Sequence, residues 1–144
     1  MFITALTLNI IHLVYHQLTT NFNFFPFNNV RSYTLRQRLK EASIHGGLMT
    51  FCIISLIWDN KLVVGIATLY LFILLVGEYF SWWKHYFFGS TKKWMELYDN
   101  IFKDTIIVLP KIKNNPTPNL EHCILHLISF LTFIATCKYY LAPR

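Results

Sequence analysis

Four long apolar runs divide the chain, and the polar residues that interrupt them recur at helical spacing rather than alternating. The first run covers about residues 2–20. Asn9, His12 and His16, with Thr19 or Thr20, fall on one stripe of a helix whose other faces are apolar. At about 1.5 Å per residue the run is long enough to cross a hydrocarbon core of ~30 Å. The second run, about 42–58, follows a segment that can be helical from Thr34. Glu41, His45 and Cys52 share one side of it, and Gly46-Gly47 permits close helix approach. Asp59-Asn60-Lys61 is a short turn that makes the second and third runs an antiparallel hairpin. The third run, 62–83, contains the most hydrophobic stretch of the chain. Glu78 and His85, seven residues apart, would share a face there, with Trp82, Trp83, Tyr86, Phe87 and Phe88 as an interfacial belt.

A different pattern occupies residues 91–108. Trp94, Leu97, Tyr98, Ile101, Phe102 and Thr105 form one face, and lysines and acids fill the other. Such a helix lies in a membrane interface or caps a bundle. The last run, 119–137, opens directly after Pro116-Thr117-Pro118. Asn119 suits its N-cap, Glu121 lies in the first turn, and His122 and His126 are one turn apart. The fold class is therefore all-α. The chain reads as a single integral membrane domain, residues 1–144, with four transmembrane helices and one amphipathic interfacial helix between spans three and four.

Composition supports a lipid environment. Residues are 54% hydrophobic, 17% aromatic and only 14% charged, with a mean hydropathy of +0.39. Soluble domains carry about a quarter charged residues. The net charge of +6 does not point to nucleic acid, because the basic residues lie between apolar runs and not on a stripe with stacking aromatics. Ten of the thirteen Lys and Arg fall in residues 21–43 and 84–118. The positive-inside rule then puts both long loops in the cytoplasm and both termini outside, in a multi-pass protein of the cell membrane. Cys52, Cys123 and Cys137 all sit in apolar runs and read as buried small hydrophobes.

Aligning the spans by depth brings the candidate chemistry to one level. Counted from the non-cytoplasmic ends at about 1.5 Å per residue, His12, His126, His45, His16, His122 and Glu78 fall between about 15 and 24 Å. Glu121 is adjacent, and His85 is deeper, at the interface. Ionisable groups at membrane depth face the bundle interior and pair with one another, with water or with a metal. Imidazole and carboxylate from facing helices suit a transition metal such as zinc or iron. The expected ligands are His45, Glu78, His122 and His126, then His12 and His16, with Glu78 or Glu121 as catalytic base. The chain carries no P-loop, G-x-S-x-G, H-E-x-x-H or dinucleotide fingerprint, and none of the dense H-x-x-H-H boxes of di-iron membrane enzymes. Two functions follow. One is a buried His/Glu polar site in the cytoplasmic half of the bundle, with or without a metal ion, acting on a lipid or membrane-soluble substrate. The other is a non-catalytic subunit or oligomeric proton- or ion-conducting element whose His/Glu layer is structural or conductive. Membrane lipids are the expected partners, with a homo-oligomer or larger membrane complex as a further expectation.

Overall fold

The computed structural model describes residues 1–143 and is all-helical, with no strands among the described residues. Helix α1 spans Phe2–Asn21, α2 Leu35–Trp58, α3 Lys61–Phe88, α4 Lys92–Ile101 and α5 Leu120–Leu141. The four long helices form a bundle in which α1 packs on α2 and α5, and α3 on α2 and α5. Three of them (α2, α3 and α5) are long and apolar enough to cross a membrane. Helix α1 is long enough, but its polar stripe dilutes its hydropathy below theirs.

Local sequence sets the helix ends. Thr34 and Gln37 form a capping box at the start of α2. Asn60 accepts from the amides of Leu62 and Val63 to start α3, and Asp59 before it turns the chain in the left-handed region. Asn119 caps α5 as its position predicts, its Oδ1 accepting from the His122 amide. Helix α4 is shorter than the expected 91–108. It stops at Ile101, and the β-branched Ile106-Ile107-Val108 segment runs extended towards Pro110, with Ile106 N donating to Pro26 O and Leu120 N to Ile106 O.

The interior is polar where a soluble protein's would be oily. The buried residues of α1 are Ala5, Asn9, His12, His16 and Thr19, so the whole sequence-derived stripe faces inward. On α5 they are Glu121, His126, Ser129, Thr132 and Thr136. Asn9 Nδ2 donates to Thr136 Oγ1 at 3.0 Å and Thr132 Oγ1 to Leu8 O at 3.3 Å. Aliphatic packing is confined to smaller clusters, Ala5–Leu56–Val64 and Cys52–Ala67–Leu71. Of the glycine pair only Gly46 serves close approach. A Cβ there would run into the Gln17 side chain, whereas Gly47 faces open space.

Helix α3 is not uniform. Tyr79–Trp83 forms one π-helical turn. The extra residue rotates everything beyond it relative to Glu78, so Trp82 and Tyr86 turn inward, at 7% and 5% exposure, and do not sit in an interfacial belt. Phe87 and Phe88 stay outside. Trp82 meets Trp94 at 5.3 Å and Phe102 at 4.9 Å between ring centroids, which docks the apolar face of α4 on the end of α3. Gly89 then turns the chain with φ 92° and ψ 174°, a region essentially closed to residues with a Cβ. Gly89→Ala should cost about 1–3 kcal/mol in a detergent unfolding titration, since its new Cβ meets nothing closer than Asn115 and the penalty is that of the backbone.

Candidate functional site

The candidate residues separate into three groups. The first is deep in the bundle. Ser129 Oγ donates to Glu78 Oε1 at 2.6 Å and lies 3.0 Å from His12 Nε2. Ser129 Oγ also lies 3.0 Å from Leu125 O of its own helix, and its one proton serves one acceptor at a time. With that proton on Glu78, the shorter contact, Ser129 accepts from His12 Nε2–H and Nδ1 is left bare. His12 Nδ1 indeed has no partner. Three helices, α1, α3 and α5, meet through this one hydroxyl.

The second group joins α1 to α2. His16 Nε2 lies 3.8 Å and His45 Nε2 3.5 Å from Glu41 Oε1, and the two imidazole rings are 5.7 Å apart. The His45–Glu41 contact follows from i, i+4 spacing on α2. The third group is at the start of α5. His122 Nδ1 is 2.7 Å from Asn119 Oδ1 and 3.1 Å from Glu121 Oε2. Both neighbours are acceptors, so the proton sits on Nδ1 and Nε2 is left as the basic nitrogen. The ring lies 4.2 Å from that of Trp82 and meets Phe102 edge-on at 5.3 Å. Asn119 also fixes where His122 begins, because the same Oδ1 that caps the helix holds the imidazole.

These groups do not form the expected single metal constellation of His45, Glu78, His122, His126, His12 and His16. Among the described residues no three His, Cys, Asp or Glu side chains are placed to hold a metal ion. Their contacts instead divide them among separate groups around the bundle. Glu78 and His85 do not share a site either. The π turn sends His85 to the Trp94 ring, at 4.9 Å, and to Gly89 O, at 3.4 Å. His126 is buried, its ring 5.9 Å from those of both His122 and Trp83, with Nδ1 unpartnered.

The second and third groups do come together, as walls of one cavity of about 480 Å³ at the end of the bundle. His16 and Glu41 line it from α1 and α2, and Glu121 and His122 from α5. Its remaining walls include Tyr33, Thr20, Arg38 and Lys40. Burial first, and then the carboxylates of Glu121 and Glu41, push the Tyr33 hydroxyl above its ordinary pKa, so it stays a neutral hydroxyl. The loop that closes this end is locked by Asn28, which donates to Thr19 O and Phe22 O and accepts from the Phe24 amide.

Sequence reasoning placed Glu121, His122 and His16 among the site candidates but left out Glu41, Tyr33, Arg38 and Ser129. Glu41 carried a signal, its one-turn spacing to His45. Ser129 carried none, since a serine in an apolar helix is ordinarily bonded to its own backbone.

The architecture is that of a helical bundle with three helices long and apolar enough to cross a membrane, which points to the class of membrane proteins. No protein family, curated protein or solved structure matches the chain.

Proposed function

We propose that the chain is a four-span membrane protein whose end cavity takes the polar head of a membrane-soluble ligand and offers it two His–carboxylate pairs for acid–base chemistry. The observation that carries this reading is the cavity itself, walled by Glu41–His16 and Glu121–His122 from three different helices. A volume of this size lies within the ~300–1,000 Å³ usual for small-molecule sites. Paired carboxylate and neutral imidazole are the groups that accept and return protons near neutral pH. Glu121 orients His122 and holds its proton on Nδ1, which leaves Nε2 to act on a bound group.

Several features support α1 as the fourth span. Its outward residues include Ile3, Ile10, Ile11, Val14 and Leu18, all exposed, while its polar stripe Asn9, His12, His16 and Thr19 is buried. A helix lying flat on a membrane would put those two faces the other way round relative to the protein. Helix α4 has lysines and acids on one side and packs the other on Trp82, as an interfacial cap would. The basic loops put the cavity on the cytoplasmic side and both termini outside. The whole chain then acts as one membrane domain of the cell membrane, with lipids as its surroundings.

The deeper Glu78–Ser129–His12 group favours the non-catalytic alternative for that part of the histidine set. Ser129 is 1% exposed, so no substrate reaches it, and its contacts join helices. We assign Glu78 to holding the bundle and keep Glu121 for the cavity.

Native mass spectrometry of protein released from its membrane in mild detergent tests the cavity. Wild-type protein is expected to retain an amphiphile that Thr20→Trp, which fills the cavity from its wall, loses. Equal retention by the two proteins would remove the reading.

A further inference from the structure

The charge pattern of the cavity specifies the ligand further than its volume does. Two carboxylates, Glu41 and Glu121, and two cations, Arg38 and Lys40, line the same space. Opposite charges so placed ordinarily neutralise each other. Here they do not. Both carboxylates are engaged by histidines, and among the described residues neither Arg38 nor Lys40 has a carboxylate partner. Arg38 is nevertheless fixed in place. Its Nη1 donates to Asn21 O, the last carbonyl of α1, at 3.1 Å. Its Nε is buried with no acceptor, and so is Nδ1 of the 5%-exposed His16. A buried guanidinium N–H without an acceptor is costly, and an oxyanion is what a guanidinium fork fits best.

The carboxylates make the complementary demand. They only accept hydrogen bonds, so a ligand that reaches Glu121 must bring donors. A simple anion would satisfy the cations and be repelled by the acids. A ligand with a phosphate at one end and hydrogen-bond donors a few atoms away satisfies both.

We propose, resting on the cavity reading above, that the site binds the head group of a phospholipid whose phosphodiester carries an ammonium, a phosphoethanolamine head. The phosphate sits on Arg38 and Lys40 of α2, and the ammonium donates to Glu121 at the start of α5. The surroundings favour a lipid source over a free metabolite. Phe22, Phe24 and Phe25 are exposed beside the loop that closes the cavity, and aromatic rings of this kind settle at head-group level. Choline, which has no N–H, binds more weakly because it brings no donor to the buried Glu121 carboxylate, which then keeps only its contact with His122 Nδ1.

Calorimetric titration of the full chain in a neutral detergent decides this, using four probes: dihexanoyl-phosphatidylethanolamine, dihexanoyl-phosphatidylcholine, dihexanoylglycerol and inorganic phosphate. The ethanolamine lipid is expected to bind at least about tenfold more tightly than the choline lipid, a single lost charged contact being worth that much or more. Arg38→Gln and Lys40→Gln should each weaken it by about tenfold or more. Lys40 is exposed, so its variant tests the phosphate contact without risk to the fold. Equal affinity for the two phospholipids, or inorganic phosphate binding as tightly as either, overturns the head-group assignment. Dihexanoylglycerol binding as well as the ethanolamine lipid, with no effect of Arg38→Gln, overturns the phosphate site but leaves the cavity reading standing. Binding of none of the four overturns both.

Discussion

Ser129→Ala is expected to destabilise the bundle by about 1–3 kcal/mol, the cost of leaving buried polar groups without a partner. The serine hydroxyl is the one atom that both Glu78 and His12 use, at 2.6 and 3.0 Å. Deleting it removes two interhelical contacts at once and strands a carboxyl group inside a bundle. An ordinary interhelical hydrogen bond in a membrane protein contributes much less, on average about 0.6 kcal/mol. Thr132→Val supplies that comparison on the same helix. The Thr132 hydroxyl donates to Leu8 O, a backbone carbonyl of α1, so its loss strands no ionisable group. The two variants should therefore separate clearly in an SDS unfolding titration from mild detergent, with Ser129→Ala the weaker protein. Equal losses would mean that Glu78 finds another partner and that the three-helix junction contributes no more than any single contact.

Asn119→Ala is expected to produce a loss of similar size by another route. Asn119 is 0% exposed and its Oδ1 serves both the His122 amide, at 3.1 Å, and His122 Nδ1, at 2.7 Å. Loss of an N-cap alone costs about 0.5–2 kcal/mol. Release of the imidazole adds the cost of a buried donor left with only Glu121, so a total of about 1–3 kcal/mol is expected. Asn119→Asp keeps an oxygen in place and should restore most of the stability. The functional consequence is separable from the structural one. In Asn119→Ala the His122 ring is free to leave the Trp82 face it packs on at 4.2 Å, and ligand binding in the cavity should fall even where the helix remains folded. An Asn119→Ala protein with wild-type stability and binding would show that the cap and the imidazole are positioned independently.

Part of this arrangement could be read directly from the chain. The polar stripe of α1 is legible because an α-helix converts spacing into direction, and all of Asn9, His12, His16 and Thr19 are buried. The start of α5 is legible because Pro118 and Asn119 leave the helix only one place to begin. Counting along the runs gives each histidine and acid an expected depth, but depth is only one of two coordinates. Rotation of each helix about its own axis decides which groups face each other, and it depends on packing that no single run encodes. That is why the expected common site resolves into separate groups. Beyond Glu78 the phase itself changes, because the π turn over Tyr79–Trp83 adds a residue without a sequence marker such as Gly or Pro. Trp82 thereby becomes core and His85 leaves the site. Arg38 escaped notice for a related reason. In sequence it is one of four basic residues in a loop-rich segment, and only the fold puts its side chain against the end of α1.

The most direct test concerns the number of crossings, because a polar interior and a basic-end cavity both require α1 to stand beside α2 and α5 in the membrane. In a variant with Cys52, Cys123 and Cys137 replaced by alanine, single cysteines at Ile3, Arg31, Lys61 and Asn114 can be labelled in sealed, oriented vesicles with a membrane-impermeant maleimide. Ile3 and Lys61 should react from one side, and Arg31 and Asn114 from the other. Ile3 reacting from the same side as Arg31 would contradict a four-span bundle and the cavity built on it.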